Sequence, residues 1–175
     1  MDKVILALQS IISESVSQQA TANVGPLKDI KAVYYGDPSQ IADTYMPAIA
    51  IQPINSNFSL RGTRYDEKIH TIEVRIIINR KEYYTDQDAS QKVTAVQDMA
   101  NRIESQWNNE DVIHTSICGI IQNNLCLQYT NDLSQLVSAA TLSKVVSVQY
   151  RFSTERGFPT YEGVVTLEVH TIWDR

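Results

Sequence analysis

Apolar residues near the start of the chain recur at the three-and-four spacing of one helical face. They are Val4, Ile5, Leu8, Ile11, Ile12 and Val16. Polar residues such as Glu14 and Gln18 fill the opposite face, so the pattern predicts an amphipathic helix over residues 3–18 that lies on the body of the domain. We expect Gly25 and Pro26 to prevent the helix from continuing.

Three strands are expected next. Residues 32–35 are rich in β-branched and aromatic side chains, and residues 48–51 form a short apolar run between Pro47 and Pro53. Proline on both sides places this second strand near an edge or a bend. Residues 67–79 alternate apolar and polar side chains with a period of two, which predicts a long strand with one face on the core and the other mostly in water.

A second helix is predicted over residues 88–108, with Asp88 as its N-cap. Its apolar stripe, which should cover the sheet, consists of Ala89, Val93, Val96, Met99, Ala100, Ile103 and Trp107. Burial of several such side chains, at roughly 1.5–3 kcal/mol each, makes this helix and the long strand the centre of the fold.

The last third of the chain is predicted to be mostly strand. Residues 111–122 and 125–129 flank the turn pair Asn123 and Asn124, and residues 144–153 and 162–173 are rich in Val, Ile, Tyr and Phe. Both pairs are expected to form hairpins.

Three other segments are predicted to lie outside these hairpins. Residues 131–141 are expected to form a loop or a short helix. Residues 55–65, with Gly62 as turn residue, are expected to form a projecting loop or a flexible hairpin arm, and residues 153–161 a second surface loop.

The order of elements segregates helices from strands. It predicts an α+β fold with a mainly antiparallel sheet and two principal helices packed on one face. A chain of 175 residues and 19.8 kDa is within the size of one domain, so we expect residues 1–175 to form a single domain with an arm near 55–66.

Composition narrows the classes of function. The net charge of -5 and the pI near 5.1 predict no affinity for nucleic acid through counterion release. The pattern of the first residues does not suggest a signal peptide, and the longest apolar runs fall far short of the roughly 20 residues that cross a bilayer. We expect a cytosolic, soluble product with no membrane association and with both cysteines as free thiols.

Candidate chemistry is sparse. A metal site would require His70, His114 and His170 to converge with carboxylates such as Glu73 or Glu168, and their spacing gives no sign of this. Each histidine lies in a predicted strand, where an imidazole usually satisfies a local hydrogen bond.

No nucleophile elbow or glycine-rich phosphate loop is present in the sequence. Cys118 and Cys126 are expected to be small buried residues that do not face each other. We therefore expect no enzyme activity, no cofactor and no metal.

Aromatic and arginine side chains occur together at several predicted loops, a composition enriched at protein interfaces. The candidate interface residues are Arg61, Arg64, Tyr65, Tyr83, Tyr84, Arg156 and Phe158. They are equally compatible with ordinary loop positions whose rings are partly covered.

The chain resembles phage tail terminator (tail completion) proteins. The likeness rests on the N-terminal helix, the segments VYYGDP at 33–38 and MPAIAI at 46–51, the strand TIEVRIIINR at 71–80 with the helix behind it, and VVTLEV at 164–169. The resemblance implies a hexameric ring in the tail or neck of a virion, assembled in the cytoplasm of a bacterial host.

The same resemblance implies the partners. The ring would cap the tail tube protein and present a surface to a neck or head connector protein, while DNA passes through the lumen without specific binding. The arm at 55–66 and the loop at 153–161 are then expected to make the axial contacts.

Three alternatives stay open. The first is another head-to-tail neck adaptor ring protein. The second is a metal-dependent hydrolase that uses His70, His170 and Glu168, and the third is a module that binds a small ligand.

Overall fold

The computed structural model describes residues 2–60, 65–79, 89–104, 115–130, 135–153 and 160–174. Three helices are present in these ranges: α1 (Asp2–Ala22), α2 (Ala89–Ile103) and α3 (Ile117–Asn123). The strands are β1 (Ala32–Tyr35), β2 (Ala48–Leu60), β3 (Tyr65–Asn79), β4 (Gln128–Thr130), β5 (Leu136–Ser138), β6 (Leu142–Ser153) and β7 (Thr160–Asp174). Two short 3-10 helices, Pro38–Gln40 and Asp43–Tyr45, lie between β1 and β2.

Five of the strands form one sheet in the order β1-β2-β3-β7-β6. The pairs β2–β3, β3–β7 and β7–β6 are antiparallel, whereas β1 runs parallel to β2. The predicted α+β class is therefore confirmed, but the sheet is mixed and three helices accompany it instead of two. Strands β4 and β5 form a separate antiparallel pair.

The amphipathic helix α1 is confirmed and extends four residues beyond the predicted end. Its apolar stripe enters the core, where Val4, Ile5, Leu8, Ile12 and Val16 are all buried. Gln19 fixes the chain that follows, because its side-chain oxygen accepts a hydrogen bond from the backbone N–H of Leu27 at 2.9 Å and its amide donates to the carbonyl of Thr115 at 2.8 Å. Gly25 has a φ of 103°, and a Cβ there would lie 2.3 Å from Gln19 Oε1.

One face of the sheet carries the main core. Apolar side chains from α1, α2 and α3 join alternate residues of β2, β3 and β7 in a single cluster, so all three helices cover this helix-side face. In β3 the alternation is confirmed, since Ile72, Val74, Ile76 and Ile78 belong to that cluster.

The opposite face of the sheet, called here the open face, is not mostly in water as predicted. Thr71, Glu73 and Arg75 of β3 are partly buried, and Ile77 is fully buried. Ile77 belongs to a second, smaller cluster with Ile41, Met46, Ala48 and Ala50. The segment between β1 and β2 supplies two of these side chains and covers this corner of the open face.

Helix α2 packs across β7 at a glycine. A Cβ on Gly163 would lie 2.8 Å from both Met99 Sδ and Ile103 Cγ1, so the absence of a side chain there allows the helix to approach the sheet. The predicted stripe is correct at Met99 and Ile103 but wrong at Val96, which is 46% exposed. The predicted cap Asp88 and Trp107 lie outside the described residues.

A buried arginine joins α2 to the segment after α1. Arg102 donates to both carboxylate oxygens of Asp29, at 2.7 and 2.8 Å, and also pairs with Asp98 one turn earlier. Burial alone would raise the pKa of Asp29, but the hydrogen bond and the charge of Arg102 outweigh burial and hold that pKa below its usual value.

The predicted hairpin around Asn123 and Asn124 is wrong, because residues 117–123 form helix α3. Ser116 caps this helix by accepting a hydrogen bond from the backbone N–H of Gly119, and Asn124 donates to the carbonyl of Ile120 at its other end. The apolar run that suggested a strand is buried because α3 packs against α1 and β6. Of the predicted strand at 111–122, residues 111–114 lie outside the described residues.

The prediction for residues 131–141 is also wrong in its described part, since Leu136–Ser138 form β5. The cysteines are both free, as expected, but only one is buried. Burial and the charge of Glu104 raise the pKa of Cys118 to about 11, whereas Cys126 is exposed.

The C-terminal hairpin of β6 and β7 is confirmed. Strand β2 is longer than predicted, and its first four residues lie inside the sheet between β1 and β3, so the expected edge position is wrong for them. The expected bend is present, as a register shift between Pro53 and Asn55 beyond the reach of β1. In the described helices, none combines the length and the hydrophobicity that a bilayer-spanning segment needs.

Candidate protein interface

Three strands continue past the end of the rest of the sheet. Strand β6 begins at Leu142, which pairs with His170 of β7. At the same level, His170 pairs with Ile69 of β3, and Ile69 pairs with Asn57 of β2. Residues 58–60, 65–68 and 171–174 therefore form a three-stranded extension with no neighbouring strand on either side in the described chain. Of the two forms expected near 55–66, a loop or a hairpin arm, the described part has the two antiparallel strands of a hairpin arm.

The helix-side face of the three-stranded extension is uncovered at its tip. Phe58 is 76% exposed, and the ammonium of Lys68 lies 4.9 Å from the centre of its ring. An aromatic ring with a cation above it is a chemistry that protein interfaces use. Since the three helices do not reach Phe58, this side chain is available to another protein.

His70 closes the base of the same face. Its ring contacts Ser56 Oγ at 2.8 Å on β2 and Thr171 Oγ1 at 3.2 Å on β7, so one imidazole joins all three strands of the three-stranded extension. Burial, to which the positive charge of Lys68 adds, lowers the pKa of His70 to about 4. The ring is therefore neutral near pH 7 and serves as a structural hydrogen-bond partner.

His170 lies on the open face, one residue further along β7 from the level of His70. Its Nδ1 is 2.7 Å from Glu67 Oε1, and its Nε2 is buried without a hydrogen-bond partner. Because His70 and His170 point to opposite faces of the sheet, they cannot ligate one ion. His70, His170 and Glu168, suggested for a hydrolase, are thus not assembled into one site.

Within the described part of the chain, no three His, Cys, Asp or Glu residues are grouped as a metal would need. Glu168 is instead paired with Lys144 at 2.7 Å, and Glu73 with Arg75 at 2.6 Å. His114 lies outside the described residues.

Strand β6 forms the other edge of the sheet and exposes unusually many apolar side chains. Val146 and Phe152 are 51% and 56% exposed, and Leu142 and Tyr150 are also exposed. Phe152 stacks on Tyr161 at 4.7 Å between ring centres, and Tyr150 donates a hydrogen bond to Glu104. Burial and this hydrogen bond raise the pKa of Tyr150. The unpaired backbone groups of an edge strand can serve as a template for pairing with another chain.

None of the seven interface residues predicted from the sequence is described with its side chain. Arg61, Arg64, Tyr83, Tyr84, Arg156 and Phe158 lie outside the described residues, and Tyr65 begins β3 with its side chain outside them. These residues stay predictions. Sequence reasoning missed Phe58, although a lone aromatic residue in a polar segment is a recognisable signal.

The edge strand β6 was also missed as a surface. Beyond the bulge after Val145, its apolar residues alternate with polar ones, and Val145 and Val148 pack against the main core. This pattern is that of an ordinary half-buried strand, so it carries no sign that β6 lies at an exposed edge.

Comparison with known proteins gives little guidance. No family model matches the chain, and no curated protein matches it either. In the solved structures the chain is similar to a protein of a particle described as "Virion of native gene transfer agent (GTA) particle", with a TM-score of 0.36 and 8% sequence identity over 93% of this chain and 94% of that one. A superposition at that level does not establish a common fold, and no property of that particle is assigned to this chain.

Proposed function

We propose that this chain is a structural virion protein, a tail terminator whose copies form a ring that caps the tail tube and offers a docking surface to a neck or head connector. The proposal rests on the sequence resemblance together with two features of the fold. It includes no catalytic step and no cofactor.

The observation that carries the proposal is the order of the elements. The resemblance implies an N-terminal helix, two short strands, a long strand backed by a helix, and a C-terminal strand. The described chain has α1, β1, the start of β2, β3, α2 and β7 in that order, all within one α+β sheet. The correspondence covers the described part of each segment on which the resemblance was based.

The three-stranded extension supports an axial contact. It projects beyond β1 and β6, and Phe58 on it is exposed in the isolated subunit. In a ring whose strands lie roughly parallel to its axis, such an extension points along the axis toward the next component of the tail. It overlaps the segment 55–66 that was expected to contact the tube or the neck.

Charge supports a passive role toward DNA. The subunit carries a net charge of -5, so a ring of its copies has no net electrostatic attraction for the phosphate backbone. We propose that DNA passes through the ring without being held.

Substitution of Phe58 by Glu tests the axial contact. The new carboxylate lies beside Lys68, so the subunit should stay folded while the apolar contact is lost. We expect particles assembled with Phe58→Glu to have over-long or unattached tails in electron micrographs. A deletion of residues 56–64 is a poorer test, because it removes the Ser56 hydroxyl that the buried His70 contacts.

The matched control is Val24→Glu, which introduces the same charge at an apolar residue that is 69% exposed and far from the sheet edge in sequence. It should give tails of normal length. Normal tails from the Phe58 variant as well would count against the proposal. Heads that leak DNA beside finished free tails would instead identify a neck adaptor ring.

A further inference from the structure

The sheet ends on two edges that no other strand of the described chain covers. On one side, β6 is paired with β7 alone, apart from a hydrogen bond from the backbone N–H of Ser143 to Leu125. On the other side, β1 is paired with β2 alone, apart from a 3.4 Å hydrogen bond from Gln9 to the carbonyl of Val33. Backbone groups on such edges are templates for an added strand.

We infer that β6 of one copy of this chain pairs with β1 of the next copy, so that the sheets of neighbouring subunits become continuous. The inference deepens the proposed function and rests on it, since it assigns the two surfaces through which the ring closes. An interface of two different patches is what a closed ring requires.

Strand direction is compatible with this pairing. Strands β1, β2 and β7 run one way through the sheet, and β3 and β6 run the other way. When two copies stand side by side in the same orientation, β6 of the first is therefore antiparallel to β1 of the second. Subunits related by rotation about a ring axis have this common orientation.

Charge favours β1 as the partner of β6. Strand β6 carries Lys144 and Arg151 and no acidic residue, whereas residues 31–47 carry two aspartates, Asp37 and Asp43, against one basic residue, Lys31. Both aspartates are exposed, and the side chains of Lys144 and Arg151 are about half exposed although each also pairs with a glutamate of β7. The two edges are thus electrostatically complementary.

The positions of these charges along the strand direction also agree. Across the sheet, Arg151 is level with Ala48, and Lys144 is level with Asn55. Asp37 lies just after the C-terminal end of β1. Asp43 lies near the N-terminal end of β1, because it precedes Thr44, whose carbonyl accepts a hydrogen bond from the side chain of Lys31. Copies at equal positions along the strand direction therefore bring Lys144 toward Asp37, and Arg151 toward the end of β1 that holds both Asp43 and Lys31.

The competing arrangement, β6 paired with β6 about a twofold axis, is disfavoured by the same charges. In an antiparallel pair of two β6 strands centred between Ser147 and Val148, Lys144 of each copy lies opposite Arg151 of the other. Like charges directly opposite each other destabilise a strand pair.

Apolar area is present on both edges. Val146 and Phe152 are exposed on β6, and Tyr35 and Tyr45 are exposed at and beside β1. Aromatic rings and aliphatic side chains of this size supply the apolar burial that holds subunits together.

Cysteine cross-linking tests the pairing. In a Cys126→Ser background, which removes the exposed thiol, Tyr35→Cys and Val146→Cys each replace an exposed side chain. Treatment with a short bis-maleimide should convert the double variant into a ladder beyond the dimer. A mixture of the two single variants should stop at the dimer, and neither single variant alone should cross-link.

A dimer formed by Val146→Cys alone would overturn the inference in favour of pairing between two β6 strands. An assembled protein, shown by mass measurement in solution, whose double variant does not cross-link would also overturn it. For a protein that is monomeric in solution, the same cross-linking is carried out on assembled particles, where absence of the ladder would overturn the inference. The tail-length test of the proposed function is independent of this result, because a ring can close through other surfaces.

A charge substitution gives an independent readout. Asp43→Lys should raise the protein concentration needed for half-maximal assembly by about fivefold, the size expected for one exposed ion pair. Val24→Lys is the control and should leave it unchanged. If Asp43→Lys also leaves the concentration for half-maximal assembly unchanged, the assignment of β1 as the partner of β6 is contradicted.

Discussion

At the scale of single residues, two buried polar side chains hold distant segments together. His70 contacts Ser56 and Thr171, and Arg102 forms a bidentate pair with Asp29. Neither partner set was predicted, because hydrogen bonds between residues 73 or 101 positions apart depend on the tertiary fold and leave no local pattern. His70 does share the two-residue period of Ile72, Val74 and Ile76 in β3, and it is buried as they are.

The low pKa of His70 makes the stability of the fold dependent on pH. The folded state binds a proton only near pH 4, whereas an unfolded chain binds it near 6.5, so the free energy of unfolding rises with pH between these values. The contribution is complete above about pH 6.5 and is lost as the pH falls toward 4; it amounts to at most about 3 kcal/mol.

Denaturant unfolding between pH 4 and 7 measures this contribution. His70→Gln keeps hydrogen-bonding capacity without a titrating ring. In this variant the free energy of unfolding should rise less steeply with pH over that range. An identical slope in the variant and the unchanged protein would show that His70 does not titrate as described.

Removal of Arg102 should destabilise the protein strongly. Arg102→Ala leaves Asp29 and Asp98 without their buried cation, and we expect a loss of about 2–4 kcal/mol in the free energy of unfolding. Lys144→Ala is the matched control, because the pair of Lys144 with Glu168 is half exposed and should contribute less than about 1 kcal/mol. Equal losses in the free energy of unfolding of the two variants would contradict the stabilising role assigned to Arg102.

At the scale of elements, periodicity succeeded where a segment is long and failed where it is short. Helix α1 and strand β3 repeat their pattern over several turns or pleats, and both were predicted within a few residues. The seven residues of α3 contain four apolar residues in five positions, which is compatible with a buried strand as well as a buried helix. Only the contacts with α1 and β6 distinguish the two.

The packing of α2 on β7 gives a prediction at this scale. Gly163→Ala places a Cβ against Met99 and Ile103, so the helix must shift, and we expect a loss of about 1–3 kcal/mol. Ile103→Val removes one of the contacted atoms and should restore part of the loss in the double variant. Thermal unfolding of the three variants measures both effects, and a double variant that is no more stable than Gly163→Ala would contradict this packing.

At the scale of the whole molecule, the α+β class and the order of the elements from α1 to α2 followed from the sequence, whereas α3, β5 and the interface did not. The α+β arrangement could be predicted because helices and strands are segregated along the chain. The parallel β1 could not, because its direction depends on the path of the segment between β1 and β2. The three-stranded extension and the exposed edge of β6 could not either, because they depend on which strands pair and in which register. These features lead us to propose a subunit shaped for assembly with its own copies and with the tail.

The most direct test of that proposal is the length distribution of tails on particles assembled without this chain. Loss of a terminator ring leaves the end of the tube open to further polymerisation, so electron micrographs should show tails that are over-long or unattached to heads, and supply of the intact chain should restore uniform length. Tails of uniform, normal length on finished particles that lack the chain would contradict the account.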